Sequence, residues 1–376
     1  MKIQKNFFLT FFLIPFAILA QNKANINIAN NTVLERKEAI VAINWNSILS
    51  QYPQIDTTNF VVINTVTKKQ VPFQLEHKGL PAIQNLLVQV DVKAKSNLKL
   101  AVQKGKPQVF AVKTFARYVP ERFDDFAWEN DKLAYRAYGK ALEGTKGDAF
   151  GLDIWVKRTD KMILNKRYKS EDYHKDSGDG LDYYHVGFTL GAGNMAPYVK
   201  DSVRYSGNYH HWKMMDNGPL RSTFILGYDT WDVDGLKVKA TKTISIDAGS
   251  QFYKLENVYT YENSKSLPVV AGIIKRPEAG IMSLNEQDGI MGYWEPQHGE
   301  DGITGVAVVL TTPVSTIVID KEQILAKTEV KSNEPIIYYV GGAWNKAGII
   351  TNSVQWFDHI NRFSKEIKSP LIVTVK

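Results

Sequence analysis

Seventeen residues near the middle of the chain, EDYHKDSGDGLDYYHVG (171–187), concentrate side chains that can transfer protons. The segment holds two histidines, three tyrosines, four aspartates and a glutamate, with glycines between them. Histidine titrates near neutral pH and acts as a general base without much tuning, and a tyrosine hydroxyl can donate a proton. We therefore predict His174 as a base and Tyr184 as an acid, on a loop that its glycines allow to wrap a small polar ligand.

A second stretch, NYHHWKMMDNGPLRSTF (208–224), combines histidines, an aromatic ring and a cation. His210 is a further candidate catalytic residue, and Trp212 is a candidate substrate-binding residue. Arg221 enters a predicted strand one residue after a Gly-Pro turn, and we predict that it holds a substrate carboxylate, because a guanidinium grips both oxygens and stays charged.

A third stretch, RFDDFAWENDKLAYRAYG (122–139), supplies Arg122, Trp128 and Glu129 as candidate substrate-binding residues. Sugar-binding clefts use an aromatic side chain against the apolar face of the ring and planar polar groups for hydroxyls and carboxylates. A position in the hydrophobic core is the alternative for each tryptophan, since buried aromatic side chains dominate protein cores.

The aspartates of the first segment also allow a metal-binding interpretation. Their short spacing resembles a calcium loop, but the glycine at the sixth position and the glutamate at the twelfth position of an EF-hand are missing. We predict no metal and no cofactor at the site. The simplest alternative to a catalytic or calcium-binding loop is an acidic loop that is solvated and binds no ligand. The aspartates concerned are Asp172, Asp176, Asp179 and Asp182.

The beginning of the chain predicts export. Lys2 and Lys5 precede an apolar run, and Ala20 is a small residue suited to cleavage, so residues 1–20 are predicted to be a signal peptide and the protein to be periplasmic. No later segment approaches the roughly 18 uninterrupted apolar residues of a spanning helix, so no membrane span is expected after signal removal. The absence of cysteine excludes disulfides and a thiol nucleophile.

Charge and motifs narrow the function further. Removing two signal lysines from 46 basic residues leaves 44 against 39 acidic ones, a net charge of +5. This modest excess lacks dense basic runs and argues against a nucleic-acid partner, but it favours encounter with an anionic substrate. Motifs for phosphate loops, dinucleotide binding, serine hydrolases and zinc proteases are also absent from the sequence.

Hydrophobic patterning predicts an all-β fold of two domains. Short alternating runs such as FVVINTV and NLLVQVDV predict a small N-terminal β-sandwich over residues 21–112. Longer runs such as KVKATKTISI predict a large antiparallel, supersandwich-like catalytic domain over residues 113–376. One helix is predicted near the C-terminus, with an apolar face formed by Val354, Phe357, Ile360, Phe363 and Ile367.

Several of these blocks together resemble a known family. RFDDFAWENDKLAYRAYGKAL, GLDIWVKR, YHKDSGDGLDYYHVG and GPLRSTF are similar, in the same order, to the signature blocks of a family of exported bacterial proteins. That family includes oligosaccharide dehydratases encoded in ulvan-utilisation loci of marine Bacteroidetes. The resemblance covers most of the chain after the signal peptide.

The resemblance implies removal of water from a non-reducing-end glucuronic or iduronic acid of an acidic oligosaccharide. The product would be a 4,5-unsaturated uronyl residue, which a downstream unsaturated-uronyl hydrolase would consume. Abstraction of the C5 proton creates an enolate-like dianion, so a cation, a base and an acid are all required. A polysaccharide lyase acting on acidic glycan and a non-catalytic glycan-binding protein remain alternatives.

Overall fold

The chain folds as an all-β protein, as the sequence predicts. The computed structural model describes residues 22–170, 172–263 and 265–376, and its strands form five antiparallel sheets. The predicted signal peptide, residues 1–20, lies outside the described residues. Among the described helices, none has the length and apolar character needed to cross a membrane.

The first domain is a small sandwich of two sheets. Its core consists of alternating side chains such as Ile26 and Ile28 of the first strand, which point inward and are buried. A short helix that the strand pattern does not predict begins after Asn44, whose side chain accepts a hydrogen bond from the Ser47 amide. The elements are β1 (Lys23–Asn30), β2 (Arg36–Asn44), α1 (Trp45–Gln51), β3 (Phe60–Asn64), β4 (Phe73–Glu76), β5 (Asn85–Val92) and β6 (Ser96–Lys104).

The second domain contains three larger sheets. One has five strands in the order β11-β10-β9-β8-β7, the next has the order β13-β12-β18-β23-β22, and the largest has the order β14-β15-β16-β17-β24-β21-β20-β19. The strands are β7 (Thr114–Val119), β8 (Asp125–Asn130), β9 (Leu133–Ala137), β10 (Leu152–Lys157), β11 (Gly180–Leu181), β12 (Ala192–Val199), β13 (Ser202–Val203), β14 (His211–Asn217), β15 (Arg221–Val233), β16 (Leu236–Asp247), β17 (Phe252–Tyr261), β18 (Leu267–Ile274), β19 (Ile281–Asn285), β20 (Ile290–Trp294), β21 (Thr304–Leu310), β22 (Thr316–Ile319), β23 (Gln323–Val330) and β24 (Pro335–Trp344).

The alternation predicted for β16 is confirmed. Val238, Ala240, Ile244 and Ile246 are buried on one face of the eight-stranded sheet, in the main core of the domain. Lys242 shares that face; its ammonium donates a hydrogen bond to the Asn194 side chain and lies 4.4 Å from the centre of the Tyr228 ring. Burial lowers the pKa of Lys242 to about 7.

The sheet β11-β10-β9-β8-β7, called the five-stranded sheet from here on, is buried on both faces. Phe126, Trp128 and Ile154 point into the main core, whereas Asp125 and Glu129 alternate with them and point the other way. That second face is covered by residues 158–170 and 172–187, here called the covering segment, which include the short helix α2 (Leu164–Tyr168) and β11. Charged side chains are therefore enclosed between a sheet and the segment that the sequence marks for chemistry.

The C-terminal helix is confirmed as α3 (Ser353–Lys368), and four of the five residues predicted for its apolar face pack against the sheet: Phe357, Ile360, Phe363 and Ile367. Trp356 and Ile360 are fully buried against the eight-stranded sheet, whereas Val354 is 67% exposed. Helical periodicity alone favours Val354 because it is apolar, but the buried position in the first turn is taken by the indole of Trp356, which stacks on Phe252 and donates to the Val306 carbonyl.

The chain then returns to the first domain. The final strand β25 (Ile372–Val375), which the sequence analysis assigns to the second domain, pairs with β1 and extends the first sheet to the order β25-β1-β6-β3. The other sheet of the first domain has the order β2-β5-β4. Arg36 donates a hydrogen bond of 2.6 Å to the Ser369 carbonyl at the end of α3, which ties the two chain regions together.

Substitutions in β25 test its contribution to stability. Val375 packs against the core of the first domain, while the adjacent Thr374 is exposed. We expect Val375→Asp to lower the free energy of unfolding by about 1–3 kcal/mol, because it buries a carboxylate without a partner. Thr374→Asp should change it by less than about 0.5 kcal/mol. Urea denaturation measures both, and equal effects of the two variants would contradict the role of the strand.

Candidate functional site

A buried ion cluster joins the five-stranded sheet to the covering segment. Arg136 of β9 donates to Asp153 of β10 through Nε at 3.0 Å and to Asp182 through Nη2 at 3.0 Å. Asp125 of β8 lies 3.5 Å from Nη1. Each of these four side chains is at most 5% exposed. Three carboxylates therefore share one guanidinium in a region shielded from water.

The charge imbalance of this cluster favours protonated carboxyl groups. Burial raises the pKa of Asp125 to about 6, although Arg136 and Arg122 act in the opposite direction. Burial and the neighbouring Asp153 raise the pKa of Asp182 well above its ordinary value. Oδ1 of Asp125 and Oδ1 of Asp153 are buried without a hydrogen-bond partner among the described residues. These groups hold the covering segment in place and can store a proton.

His174 and Arg122 lie at the outer border of this ion cluster. Nδ1 of His174 is 2.7 Å from the Asp182 carbonyl oxygen, so Nδ1–H donates and Nε2 is left as the acceptor of the neutral ring. The His174 side chain is 63% exposed. Nε of Arg122 donates to the Tyr173 hydroxyl at 3.2 Å, next to His174. The structure thus brings His174 and Arg122 to neighbouring positions, and the imidazole of His174 is accessible.

A second group, the edge cluster, forms where the covering segment meets the ends of β18, β20 and β21. It consists of Tyr183, Tyr184, Arg276, Glu295 and His298. Nε of Arg276 donates to Glu295 at 2.7 Å, Nη1 donates to the His185 carbonyl at 2.6 Å, and the guanidinium lies 4.6 Å from the centre of the Tyr184 ring. Nη2 of Arg276 has no hydrogen-bond partner among the described residues, and it is not one of their buried polar atoms that lack a partner.

Histidine and tyrosine complete the edge cluster. The His298 ring stacks on Tyr183 with 5.1 Å between ring centres, and its Nδ1 lies 3.0 Å from the Asp301 carboxylate. The carboxylate favours a proton on Nδ1 and leaves Nε2 as a base, as in other carboxylate–histidine pairs. Thr304 donates to the Tyr183 hydroxyl at 2.6 Å.

Two acids of the edge cluster have pKa values raised by burial. Burial raises the pKa of Glu295 to about 7, although Arg276 lowers it in part. Burial also raises the pKa of Tyr184 well above its ordinary value, and the Tyr184 hydroxyl is buried without a partner among the described residues. A cation with a remaining N–H, a histidine base and a protonated carboxyl group are the components of proton transfer next to an anionic ligand.

Sequence reasoning missed Arg276, Glu295 and His298. They lie in two short stretches, KRPE and EPQHGED, which show no clustering comparable with the segment 171–187. The available signal was positional: Arg276 and Glu295 each follow a strand of buried residues, β18 and β20, within two residues of its end. Polar residues placed at strand ends are the usual location of functional groups on β scaffolds.

The prediction that Arg221 shares a site with His174 and Tyr184 is wrong. Arg221 points from the outer face of the eight-stranded sheet, because its neighbour Ser222 and then Phe224 point into the core. Its Nε and Nη2 donate to both oxygens of Asp247 at 2.6 and 2.7 Å, and Nη1 donates to Glu76 at 3.1 Å. The guanidinium is thus occupied by protein carboxylates on the opposite side of the sandwich.

Arg221 instead connects the two domains. Glu76 belongs to β4 of the first domain and Asp247 belongs to β16 of the second. Burial alone would lower the pKa of Arg221, but Asp247 and Glu76 reverse this effect and raise it above the ordinary value. A Gly-Pro turn before a strand indicated an accessible arginine, but it carried no information about the partner carboxylates.

Trp128 and Glu129 are also not accessible to a substrate. Trp128 is fully buried in the main core, with its ring centre 5.2 Å from that of Phe224. Glu129 is fully buried and accepts from the ammonium of Lys157 at 2.7 Å. Its two oxygens also accept from the amides of Ile163 and Leu164, each at 2.9 Å, which fixes the start of α2.

His210 and Trp212 lie on the side of β14, away from the edge cluster. Nδ1 of His210 is 2.7 Å from Asp229 and Nε2 is 3.4 Å from Glu143, so both ring nitrogens face carboxylates. Trp212 is 45% exposed and stacks on Tyr118 with 5.3 Å between ring centres. This exposed ring has the geometry of an aromatic sugar-binding surface, and it remains a candidate for substrate contact.

The four aspartates considered for calcium are each paired with a cation of the protein. Asp172 contacts Lys175, Asp176 contacts Arg158, Asp179 contacts Lys166 and Arg167, and Asp182 contacts Arg136. These ion pairs satisfy the carboxylates without a metal. Among the described residues, no group of three or more histidine, aspartate or glutamate side chains is arranged to hold a metal ion.

The fold and the two clusters define an all-β sandwich protein with a polar edge site. Residues 28–373 match the family described as a domain of unknown function (DUF4861), and the chain belongs to this family. A relative from Formosa agariphila, described as uncharacterized protein P7, is 31% identical over 281 residues, which cover 70% of each chain.

Solved structures are similar to the chain in fold. A protein of glycosyl hydrolase family 38 from Enterococcus faecalis aligns with a TM-score of 0.51 and 11% identity over 95% of this chain and 48% of its own. An alpha-mannosidase from Enterococcus faecalis V583 aligns with a TM-score of 0.53 and 10% identity over 95% of this chain and 46% of its own. The chain therefore spans about half the length of these structures.

The role of Glu129 predicts a stability effect. Glu129→Gln removes the charge that compensates Lys157, and an unpaired buried ammonium costs about 3–5 kcal/mol when its partner is lost. We expect a decrease of this order in the free energy of unfolding, together with faster amide hydrogen exchange at Ile163 and Leu164. Glu121→Gln, at an exposed carboxylate, serves as the control and should change stability by less than about 0.5 kcal/mol. A stable Glu129→Gln variant that has lost only ligand affinity would restore the substrate-binding interpretation.

Proposed function

We propose that the protein is a hydro-lyase that removes water from the terminal uronic acid of acidic oligosaccharides. The observation that carries the proposal is the edge cluster, where a guanidinium with a remaining N–H lies beside a carboxyl group of pKa about 7 and an accessible imidazole. The family resemblance supports the substrate class, since it links the signature blocks to dehydration of glucuronic or iduronic acid. The fold likeness to carbohydrate-active proteins is compatible with a sugar substrate.

In this proposal Arg276 neutralises the substrate carboxylate. Two of its nitrogens are held by Glu295 and the His185 carbonyl, so the third is presented in a fixed direction. Removal of the C5 proton places negative charge on the carboxylate, and a fixed cation stabilises this charge more in the transition state than in the ground state. Arg276 thereby takes the role first assigned to Arg221.

His298 is the proposed base. Its Nδ1 contacts Asp301, so Nε2 can accept the C5 proton and the carboxylate then stabilises the imidazolium. His174, the base first predicted, has the same free Nε2 because its Nδ1 donates to a carbonyl oxygen. We prefer His298 because it belongs to the edge cluster, where its ring stacks on Tyr183.

Glu295 is the proposed acid for the departing hydroxyl group. At neutral pH a carboxyl group with a pKa of about 7 is partly protonated, and after the proton has been transferred its charge is compensated by Arg276. The C4–O bond breaks as the C5–H electron pair forms the double bond, and the hydroxyl leaves as water. Tyr184 is the alternative acid. Both groups are buried, Glu295 at 5% and Tyr184 at 3% exposure, so either one reaches the substrate only after a local rearrangement.

Product analysis distinguishes the proposal from its alternatives. With glucuronyl-terminated oligosaccharides we expect a rise in ultraviolet absorbance and a product lighter by one water, without fragmentation. Two shorter products would identify a polysaccharide lyase, and binding without turnover would identify a glycan-binding protein. The protein would act in the periplasm, and an unsaturated-uronyl hydrolase would consume the product.

Single substitutions test which side chain neutralises the substrate carboxylate and which acts as the base. Arg276→Gln should lower kcat/KM by about 10²–10³, as for loss of one electrostatic donor, and His298→Ala by a comparable factor. His174→Ala is the matched histidine control and should retain at least about one tenth of the wild-type rate, which is a loss of no more than 1.4 kcal/mol. A full loss in His174→Ala with an active His298→Ala variant would move the base to His174.

The pKa of Glu295 predicts the pH dependence. If the protonated form is the acid, turnover falls as pH rises through about 7, and Glu295→Gln abolishes this dependence while lowering the rate. Stability changes in the same direction: the folded state holds a proton that the unfolded state releases near pH 4.5, so Glu295 destabilises the fold progressively from pH 4.5 to 7. The difference between wild type and Glu295→Gln in urea unfolding at several pH values measures this. A constant difference would contradict the raised pKa.

A further inference from the structure

A groove on the far side of the sandwich is not used by the proposed reaction. It has a volume of about 440 Å³ and lies between the first domain, the outer face of the eight-stranded sheet and helix α3. This volume is within the range of small-molecule sites. The groove contains Arg221, and no residue of the edge cluster lines it, so the two sites are separate.

The floor of the groove consists of side chains in register on neighbouring strands. One row is Thr223, Ser245 and Lys254, followed by Tyr339 on β24, and the next row contains Thr243 and Glu256. Neighbouring strands lie about 4.8 Å apart, so the hydroxyl groups form a closely spaced patch of donors and acceptors. The Thr223 and Ser245 hydroxyl oxygens are 3.0 Å apart.

The charges of the groove cancel. Of its three cations, Arg221 is held by Asp247 and Glu76, and Lys254 lies 3.2 Å from Glu256, while Lys78 is exposed. An anionic ligand inside the groove would compete with these carboxylates for Arg221 and Lys254, and the lost ion pairs would oppose binding. Groove chemistry therefore favours a ligand that is uncharged and rich in hydroxyl groups.

One wall of the groove is aromatic. Phe363 contacts both Phe252 and Tyr339, with 4.0 Å between the centres of the two phenylalanine rings and 5.2 Å between those of Tyr339 and Phe363. An aromatic wall beside hydroxyl groups matches a pyranose, which has an apolar ring face and polar edges.

We propose that this groove is a second carbohydrate-binding site, which takes an uncharged sugar residue. The hydroxyl patch of Thr223, Thr243 and Ser245 bonds the sugar hydroxyls, and Tyr339 and Phe363 pack on the ring. The site holds neutral residues of a glycan and does not depend on the proposed dehydratase activity, because it shares no residue with the edge cluster.

Binding of small glycosides tests the groove directly. Saturation-transfer NMR would compare methyl β-D-glucoside and methyl β-D-xyloside with methyl β-D-glucuronide on the full chain. We expect the two neutral glycosides to bind in the millimolar range and the glucuronide to bind more weakly at this site. Arg276→Gln should leave the neutral signals unchanged, whatever its effect on turnover.

Matched variants show whether the NMR signal of the neutral glycosides comes from the groove. Thr243→Trp fills the groove and should abolish binding of the neutral glycosides, whereas Thr241→Trp, on the same strand and face but outside the groove, should preserve it. Ser245→Ala keeps the fold intact and should weaken binding about twofold to tenfold by removing one hydrogen-bonding group. Equal signals in both tryptophan variants, an unaffected Ser245→Ala variant, or no neutral binding at about 10 mM would overturn the proposal.

Discussion

The enclosure of charged side chains between the five-stranded sheet and the covering segment constrains the rest of the structure. A buried charge is tolerated only when its partner and its hydrogen bonds are also buried. Arg136 satisfies Asp182 of the covering segment, and Glu129 satisfies two amides at the start of α2. The segment is therefore attached through polar contacts at both ends, in addition to the packing of Trp155 and Leu164.

This attachment divides the chemistry of the segment into two parts. Asp182 pairs with Arg136 of the sheet, whereas Asp176 and Asp179 pair with Arg158 and Arg167 of the segment itself and hold its two parts together. His174 contacts the Asp182 carbonyl oxygen and Tyr183 contacts Thr304, and fixed positions of this kind lower the entropic cost of presenting a catalytic or binding group. The density of titratable groups in the sequence thus has a structural cause as well as the proposed functional one.

Strand alternation could be read from the sequence because it is a local property, and β16 and α3 were found where the pattern predicts them. The contacts that a side chain makes in the folded protein are not a local property of the sequence. Glu129 and Trp128 are adjacent in the sequence but point to opposite faces, one towards Lys157 and one into the core. His298 has no neighbours in the sequence that distinguish it, and only the fold places it beside Tyr183. The roles of single residues were therefore harder to predict from the sequence than the positions of the strands and helices.

The packed core determines whether a ligand at the edge cluster and a ligand in the groove influence one another. Ligands on the two sides can influence one another only through an element that has two arrangements of similar free energy. Phe126, Trp128 and Phe224 pack against one another in the main core, and close-packed interiors of this kind resist small displacements. We therefore expect the two sites to bind independently, so that a glycan held in the groove increases the local concentration of its own acidic ends without changing the affinity of the edge cluster.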